Sequence, residues 1–203
     1  MQILRRNCAY ECICNLTYVC KKRNMHIMIK TTEDCFEDLA KSYPELMEKA
    51  HIGEDLGVDV GWFNIINTLC GCICNPLSSA KSRLKAATDY PRDDGGKYLA
   101  ECEATYAKEL ENLPTIMQVK EKFAGLRFYV SGCDDRIGTL IEFAERMSRC
   151  TCEKCGAPGE LDDGTGWMKT HCKKHFGGSV SEDEDLHGLH DGRVSAKFQD
   201  GDV

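Results

Sequence analysis

The sequence lacks the apolar segments that membrane insertion and secretion require. Its 203 residues contain no apolar run of about 18 residues, the length at which a helix begins to span a bilayer. The first residues contain no smooth apolar run that ends in a small-residue cleavage site, so we expect no signal peptide. These absences predict a protein that makes no membrane contact and works in the cytoplasm.

The sequence also lacks the short motifs of several large enzyme classes. It has no Walker-type phosphate loop, no G-x-S-x-G elbow and no H-E-x-x-H zinc motif. A hydrolase that uses a zinc ion, or His187 and His190 of the glycine-rich tail, stays open as an alternative. A solvated tail accounts for the same two histidines, so we expect no catalytic residue and favour a non-enzymatic function.

Positive charge is in the minority, since 26 Lys and Arg stand against 33 Asp and Glu and give a net charge of −7. This balance argues against duplex nucleic-acid binding through bulk electrostatics, although a local basic patch is compatible with it.

Cysteine, in contrast, is abundant. In a chain without a signal peptide, 14 cysteines predict free thiols and a metal site in a reducing compartment rather than disulfides.

The clearest motif lies in residues 152–175. Two residues separate Cys152 from Cys155, sixteen separate Cys155 from Cys172, and two separate Cys172 from His175. Two such pairs supply the four thiolate or imidazole ligands of a tetrahedral zinc ion. The sequence therefore predicts a zinc ribbon over residues 151–176.

The number of ligands predicts the role of the zinc. Four protein ligands leave no coordination position for water or substrate, so we expect a structural rather than a catalytic ion. Cys150 and His171 neighbour the motif and compete with His175 for the fourth position. The first three ligands are therefore better determined by the pattern than the fourth.

The ends of the chain differ from its middle. Residues 1–30 are rich in cysteine and in basic residues. The spacing of Cys8, Cys12, Cys14 and Cys20 matches no familiar tetrahedral metal site. We expect this leader to lie outside the fold, and a start at Met25 or Met28 would remove at least residues 1–24. Residues 177–203 are acidic, and we expect disorder there.

Residues 31–150 predict an α+β core of several helices and a short β-hairpin or small antiparallel sheet. Apolar residues recur at helical spacing from residue 32 and again from residue 60, in a core helix that can run on past Cys74, with a new turn or a kink at Pro76. Residues 78–112 are polar and read as a helical excursion from this core. Residues 116–120 and 126–130 predict the hairpin, with a tight connection at Ala124–Gly125, and residues 134–150 predict an amphipathic helix.

The predicted hairpin carries the candidate ligand-binding residues. Its cations are Lys120, Lys122 and Arg127, and the aromatic residues Phe123, Phe128 and Tyr129 stand among them. Cations beside aromatic faces suit a nucleotide or another anionic partner, whereas strand residues that simply face water explain the same pattern. Trp62 is a further candidate contact, with a role as a core anchor as the alternative.

Four segments together resemble a family of small uncharacterised proteins of bacteriophages, prophages and bacteria. They are GWFNIINTLC, QVKEKFAGLRFYVSG, IEFAERMSRCTCEKCGAPGEL and GWMKTHCKKH, and the resemblance covers roughly residues 40–176. It implies a zinc-knuckle domain in a phage or prophage setting and supplies no reaction. The cysteine-rich leader departs from the pattern.

Three functions are compatible with these observations. We favour a non-enzymatic, zinc-stabilised binding protein of phage or prophage type that acts in the host cytoplasm, with counter-defence as its setting. Its partner would be an anionic, nucleotide-like small ligand, or a host protein that it blocks. The alternatives are a nucleic-acid-associated regulator that uses the zinc ribbon, which the net charge disfavours, and a hydrolase.

Overall fold

The computed structural model of the chain describes residues 31–53, 56–164 and 166–176. These residues form five α-helices and two antiparallel two-stranded sheets, so the predicted α+β class is confirmed. The elements are α1 (Thr32–Ser42), α2 (Pro44–Glu48), α3 (Phe63–Asp89), α4 (Lys97–Glu111), β1 (Thr115–Glu121), β2 (Leu126–Ser131), α5 (Asp135–Ser148), β3 (Glu160–Asp162) and β4 (Lys169–His171), with a short 3-10 helix at Val60–Trp62 before α3. None of the helices in these ranges is both long enough and apolar enough to cross a membrane.

The predictions made for the two ends of the chain lie outside the described residues. They concern the leader cysteines Cys8, Cys12, Cys14 and Cys20, and the tail histidines His187 and His190.

Helices α1 and α5 begin where their capping residues place them. The Thr31 hydroxyl accepts a hydrogen bond from the Asp34 amide, and the Asp34 carboxylate accepts one from the Thr31 amide. This capping box satisfies two amides that the helix itself leaves unpaired. Asp134 caps α5 in a related way, since its carboxylate accepts the Ile137 amide at 2.7 Å.

Helix α3 runs through Pro76, which the sequence analysis treated as the start of a new turn or a kink. Proline has no amide hydrogen, so the carbonyl of Cys72, four residues earlier, loses its partner within the helix. Arg136 of α5 replaces that partner, because its Nη1 donates to the Cys72 carbonyl at 3.1 Å. The polar residues 78–112 lie in the second half of α3, in the loop that follows it, and in α4 with its C-terminal cap Asn112. Helices α3 and α4 pack against each other.

The hydrophobic core lies between α3, the β1–β2 hairpin, α5 and the two N-terminal helices. β1 pairs with β2 in antiparallel register, with an irregularity between Ile116 and Gln118. The most deeply buried side chains come from every one of these elements and include Leu39, Leu46, Trp62, Ile66, Ile73, Ile116 and Leu126. The core therefore joins residues that are far apart in the sequence.

Helix α5 covers the free edge of β2 with two polar side chains. The Leu126 amide donates to Ser148 Oγ at 2.8 Å, and the Phe128 amide donates to Glu145 Oε1 at 3.1 Å. Amides on an uncovered edge would be open to pairing with another strand. The polar end of the helix thus holds the hairpin in place and leads directly into residues 151–176.

Candidate metal centre

Residues 151–176, called here the cluster segment, form a small folded unit at the end of α5. β3 and β4 pair in antiparallel register, with Leu161 opposite Thr170, and an isolated bridge joins Thr151 to Pro158. The cluster segment therefore consists of two short hairpin-like layers. The turn between Thr151 and Pro158 carries two of the four predicted metal ligands, and the other two follow β4.

The first pair, Cys152 and Cys155, lies in a tight turn. The Gly156 amide donates to the Cys152 carbonyl at 2.8 Å, and the Cys152 amide donates to the Ala157 carbonyl at 2.7 Å. Gly156 has a φ of +76°, and a Cβ there would meet the carbonyl oxygen of Gly61 at 3.0 Å. Glycine is favoured here for two reasons: residues with a side chain rarely adopt this φ, and a Cβ would come too close to the Gly61 carbonyl oxygen.

The second pair follows β4 and is closed by a similar bond. The His175 amide donates to the Cys172 carbonyl at 2.9 Å, which brings the imidazole back over the thiol. The side chain of Cys152 is buried, whereas those of the other three ligands are partly or largely exposed at the chain surface. The site is therefore buried on the side of Cys152 and accessible to solvent on the side of the other three residues.

The four donor atoms lie within 4.8 Å of one another. The Cys155 and Cys172 sulfurs are 3.7 Å apart, and His175 Nδ1 is 3.4 Å from the sulfur of Cys152 and 3.4 Å from that of Cys172. The four residues predicted from spacing are therefore brought together in an arrangement that could hold a metal ion.

These separations fit a tetrahedral metal site. With metal–sulfur bonds of about 2.3 Å and metal–nitrogen bonds of about 2.0–2.1 Å, tetrahedral edges are about 3.8 Å between sulfurs and about 3.6 Å between sulfur and nitrogen. The sulfur–sulfur distance of 3.7 Å and the two sulfur–nitrogen distances of 3.4 Å lie close to these edges, and the remaining donor pairs lie within 4.8 Å of one another.

The protein shifts the pKa values of the candidate ligands in different directions. Burial raises the pKa of the Cys155 thiol to about 11. Burial acts in the same sense on Cys172, but hydrogen bonds from the His175 amide, the Cys155 thiol, the Lys174 amide and the Cys152 thiol together outweigh it and lower the pKa of that thiol. Burial and the nearby cationic groups lower the pKa of His175, which keeps its imidazole neutral at pH 7, the form that binds metals.

The residue that lies with the three thiols is His175 rather than either of its two competitors. His171 Nδ1 lies 2.9 Å from the Asp162 carboxylate, in a buried pair, and His171 is not part of the cluster. The Cys150 thiol is exposed and donates to the Met147 carbonyl at 3.2 Å. Of the three residues that the sequence left open, only His175 is therefore placed where it could share a metal ion with the three thiols.

The cluster segment is bonded to the core through the residues just before α3. The Gly61 amide donates to the Glu153 carbonyl at 2.8 Å, and the Trp62 indole donates to the Thr151 carbonyl at 2.7 Å. Trp62 is 0 % exposed, so it anchors the core and offers no surface to a ligand. The candidate role of Trp62 as a ligand contact is thus not supported by its position.

A second connection joins β4 to the β1–β2 hairpin. Thr170 Oγ1 donates to the Ala124 carbonyl at 2.6 Å, and Lys169 Nζ lies 3.3 Å from the carboxylate of Glu121. Lys169 also pairs with Glu153 at 2.9 Å, a carboxylate that is 1 % exposed and whose pKa burial raises despite this cation. The metal cluster and the hairpin therefore form one packed unit.

The remaining candidate ligand residues are divided by the structure into two groups. Lys120, Lys122 and Tyr129 lie at the surface of the hairpin, with Lys120 Nζ 5.4 Å from the centre of the Tyr129 ring. Arg127 is opposite Lys120 in the register, but its guanidinium donates to the Leu126 carbonyl at 2.7 Å and lies 3.6 Å from the Glu145 carboxylate. Its charge is engaged within the fold.

Two further surface residues lie at the hairpin turn: Phe123, one of the aromatic residues of the predicted patch, and Arg149, which the sequence analysis did not name. Phe123 is 63 % exposed, and Lys122 Nζ lies 5.2 Å from the centre of its ring. Arg149 approaches the same turn, since its Nε lies 3.4 Å from the position of a Cβ on Gly125. The sequence signal for Phe123 was its place among the cations of the hairpin, whereas Arg149 is brought there only by the packing of α5.

No protein-family model matches the chain, and neither a curated protein nor a solved structure shows significant similarity to it. The resemblance to small phage and prophage proteins therefore stays a prediction. The function is argued below from the residues of the chain itself.

Proposed function

We propose that this chain is a non-enzymatic, zinc-stabilised binding protein that captures an anionic ligand on the solvent face of the β1–β2 hairpin. The observation that carries the proposal is the placement of two lysines beside two exposed aromatic rings. Lys120 lies next to Tyr129, and Lys122 lies next to Phe123. Both pairs are at the surface, where a ligand can reach them.

The donor set supports zinc as the metal. Three thiolates and one imidazole are soft or borderline donors, and a tetrahedral arrangement of them is typical of structural zinc sites. Four protein donors complete the shell, so the ion would stabilise the fold rather than activate water. With that ion, the cluster segment would be the zinc ribbon that its spacing predicts.

Charge on the hairpin supports an anionic ligand. Residues 115–131 contain three cations and a single acid, Glu121, inside a chain of net charge −7. Arg127 is paired with Glu145, and Glu121 is paired with Lys169. Among the described residues, neither Lys120 nor Lys122 has an ion-pair partner, so both charges are available to a ligand.

The chemistry of the two pairs indicates a ligand that combines negative charge with a flat ring. A lysine ammonium binds phosphate as a point charge, while an exposed aromatic face stacks with a base. A nucleotide-like ligand has both groups. In the phage or prophage setting that the sequence resemblance implies, its capture in the host cytoplasm would serve counter-defence.

The proposal is tested by calorimetric titration with a nucleoside triphosphate and with inorganic triphosphate. We expect salt-sensitive binding that is lost in the double variant Lys120→Ala, Lys122→Ala and retained in Lys85→Ala, which removes an exposed lysine of α3. Equal binding by all three proteins, or no binding of either probe to the wild-type protein, would contradict it.

A further inference from the structure

The β1–β2 hairpin closes through a strained two-residue turn. The Lys122 amide donates to the Gly125 carbonyl at 2.8 Å, and the Gly125 amide donates back to the Lys122 carbonyl at 3.2 Å. The two central residues, Phe123 and Ala124, have φ values of +53° and +58°. Such turns normally take Asn and Gly, because a bulky side chain at positive φ is sterically unfavourable.

The two strained residues differ in what the fold gains from them. Ala124 is 4 % exposed, its amide donates to Glu121 Oε1 at 2.9 Å, and its carbonyl accepts the Thr170 hydroxyl. Phe123, in contrast, is 63 % exposed, so burial of its ring does not offset the strain. An exposed aromatic ring held in an unfavourable conformation suggests a contact outside the fold.

The turn and the adjacent strands repeat one chemical unit, a ring with an ammonium group beside it. Lys122 Nζ is 5.2 Å from the Phe123 ring, and Lys120 Nζ is 5.4 Å from the Tyr129 ring. The two lysines are two residues apart, or roughly 7 Å along an extended chain. That separation is comparable to the spacing of neighbouring phosphates in an extended single strand.

We propose that this face binds single-stranded nucleic acid, with a base stacked on each ring and a phosphate at each lysine. The inference rests on the proposed function and names its ligand class. Stacking on exposed rings needs unpaired bases and supplements the contacts of cationic groups with phosphates, so a local set of rings and lysines is compatible with a chain of net charge −7. Phe123, Tyr129, Lys120 and Lys122 would carry the contacts.

The openness of the face favours a polymer over a single nucleotide. Two clefts in the described residues have volumes of about 290 Å³ and 240 Å³ and are lined by residues of the helices and of the loops next to them. Neither cleft includes Phe123, Tyr129, Lys120 or Lys122. Small ligands usually bind in concave sites that bury most of their surface. On an open face, a strand reaches both ring–cation pairs at once, whereas a mononucleotide reaches one.

The two kinds of contact predict separable effects. In single strands the logarithm of the affinity falls with the logarithm of the salt concentration with a slope of about −0.7 per phosphate contact. Two contacts give a slope of about −1.4, or a loss of about sevenfold between about 50 and 200 mM salt, and Lys120→Ala would halve the slope. Loss of one stacked base weakens binding roughly 5- to 140-fold.

The decisive variant is Phe123→Gly, because glycine adopts the positive φ of this turn without strain. It removes the ring and leaves the turn at least as stable, so loss of binding cannot come from unfolding. Phe143→Ala is the matched control, since Phe143 of α5 has the same exposure of 63 %. Binding is measured by fluorescence anisotropy with a labelled oligothymidylate of about 15 nucleotides, with inorganic polyphosphate as competitor.

The expected result is that the oligothymidylate binds the wild-type protein and Phe143→Ala alike, and Phe123→Gly at least fivefold more weakly. If Phe123→Gly binds it as tightly as the wild type and polyphosphate competes fully, the face is an anion site only. That result overturns the nucleic-acid inference and leaves the proposed function standing. If neither the oligonucleotide nor polyphosphate binds, both proposals are overturned.

Discussion

Substitution of Gly61 by alanine tests how the cluster segment is joined to the core. Gly61 is buried, and a Cβ at this position would lie 2.5 Å from the Glu153 carbonyl oxygen and still closer to that of Cys152. Both obstacles are backbone atoms of the turn that holds the first two metal ligands. They cannot move away without displacing Cys152 from the cluster.

The expected cost follows from the contacts that would be displaced. Overpacking of a tight site costs about 1–3 kcal/mol. Two hydrogen bonds, from the Gly61 amide and the Trp62 indole to the cluster segment, contribute about 0.5–1.5 kcal/mol each. We therefore expect Gly61→Ala to lower the free energy of unfolding by roughly 2–6 kcal/mol, a large part of the stability of a typical domain.

The measurement is urea unfolding followed by circular dichroism and by tryptophan fluorescence, since Trp62 is buried at this junction. Gly138→Ala in α5 is the control, because a Cβ there meets nothing within 4 Å. Alanine inside a helix is favoured over glycine by about 0.5–1 kcal/mol, so this variant should be slightly more stable than the wild type. An unchanged unfolding midpoint for Gly61→Ala would refute the close approach of the two segments.

Three further predictions concern the metal and the core. Cys172→Ala should lose the metal and unfold the cluster segment, because metal-binding free energy is folding free energy in such sites, whereas Cys150→Ala should keep a normal melting curve in calorimetry. Burial raises the pKa of Cys70 to about 12 and that of Cys74 to about 11. As the pH rises, the unfolded chain therefore loses these two protons at a lower pH than the folded chain does. The free energy of unfolding should fall by about 1 kcal/mol per thiol between pH 9 and 10, and less steeply in a variant with alanine at both positions. Ser148→Ala leaves a buried β2 amide without its acceptor and should cost about 1–3 kcal/mol in urea unfolding.

The metal ligands could be predicted from the sequence because each pair is local. Two residues between ligands fix a turn in any fold, so the spacing of Cys152 and Cys155, and of Cys172 and His175, carries the geometry with it. The long connection between the pairs does not fix the fourth ligand. Only the buried pair of His171 with Asp162 removes that histidine from the cluster.

The elements that sequence reasoning predicted only in part depend on distant partners. The sequence allowed α3 to run past Cys74, but it could not show that a guanidinium from α5, that of Arg136, bonds the carbonyl that Pro76 leaves without a partner. The hairpin turn is centred on Phe123 and Ala124 rather than on Ala124 and Gly125. No Asn-Gly pair marks it, and the Thr170 bond that supports it comes from β4.

The candidate ligand residues show the same limit. Trp62 and Arg127 have the side chains expected of ligand contacts, but the indole of Trp62 is bonded to Thr151 and the guanidinium of Arg127 is paired with Glu145. Neither partner is near in sequence. Residue type predicted the chemistry of these side chains, and tertiary packing determined whether that chemistry faces solvent.

The most direct test of the account is native mass spectrometry of the protein purified from a reducing cytosol, before and after denaturation. The account predicts a folded mass that exceeds the chain by one zinc ion, with the excess lost on denaturation and absent from Cys172→Ala. A folded protein with the metal-free mass and an unchanged melting profile would contradict the claim that a Cys3His zinc site completes the fold.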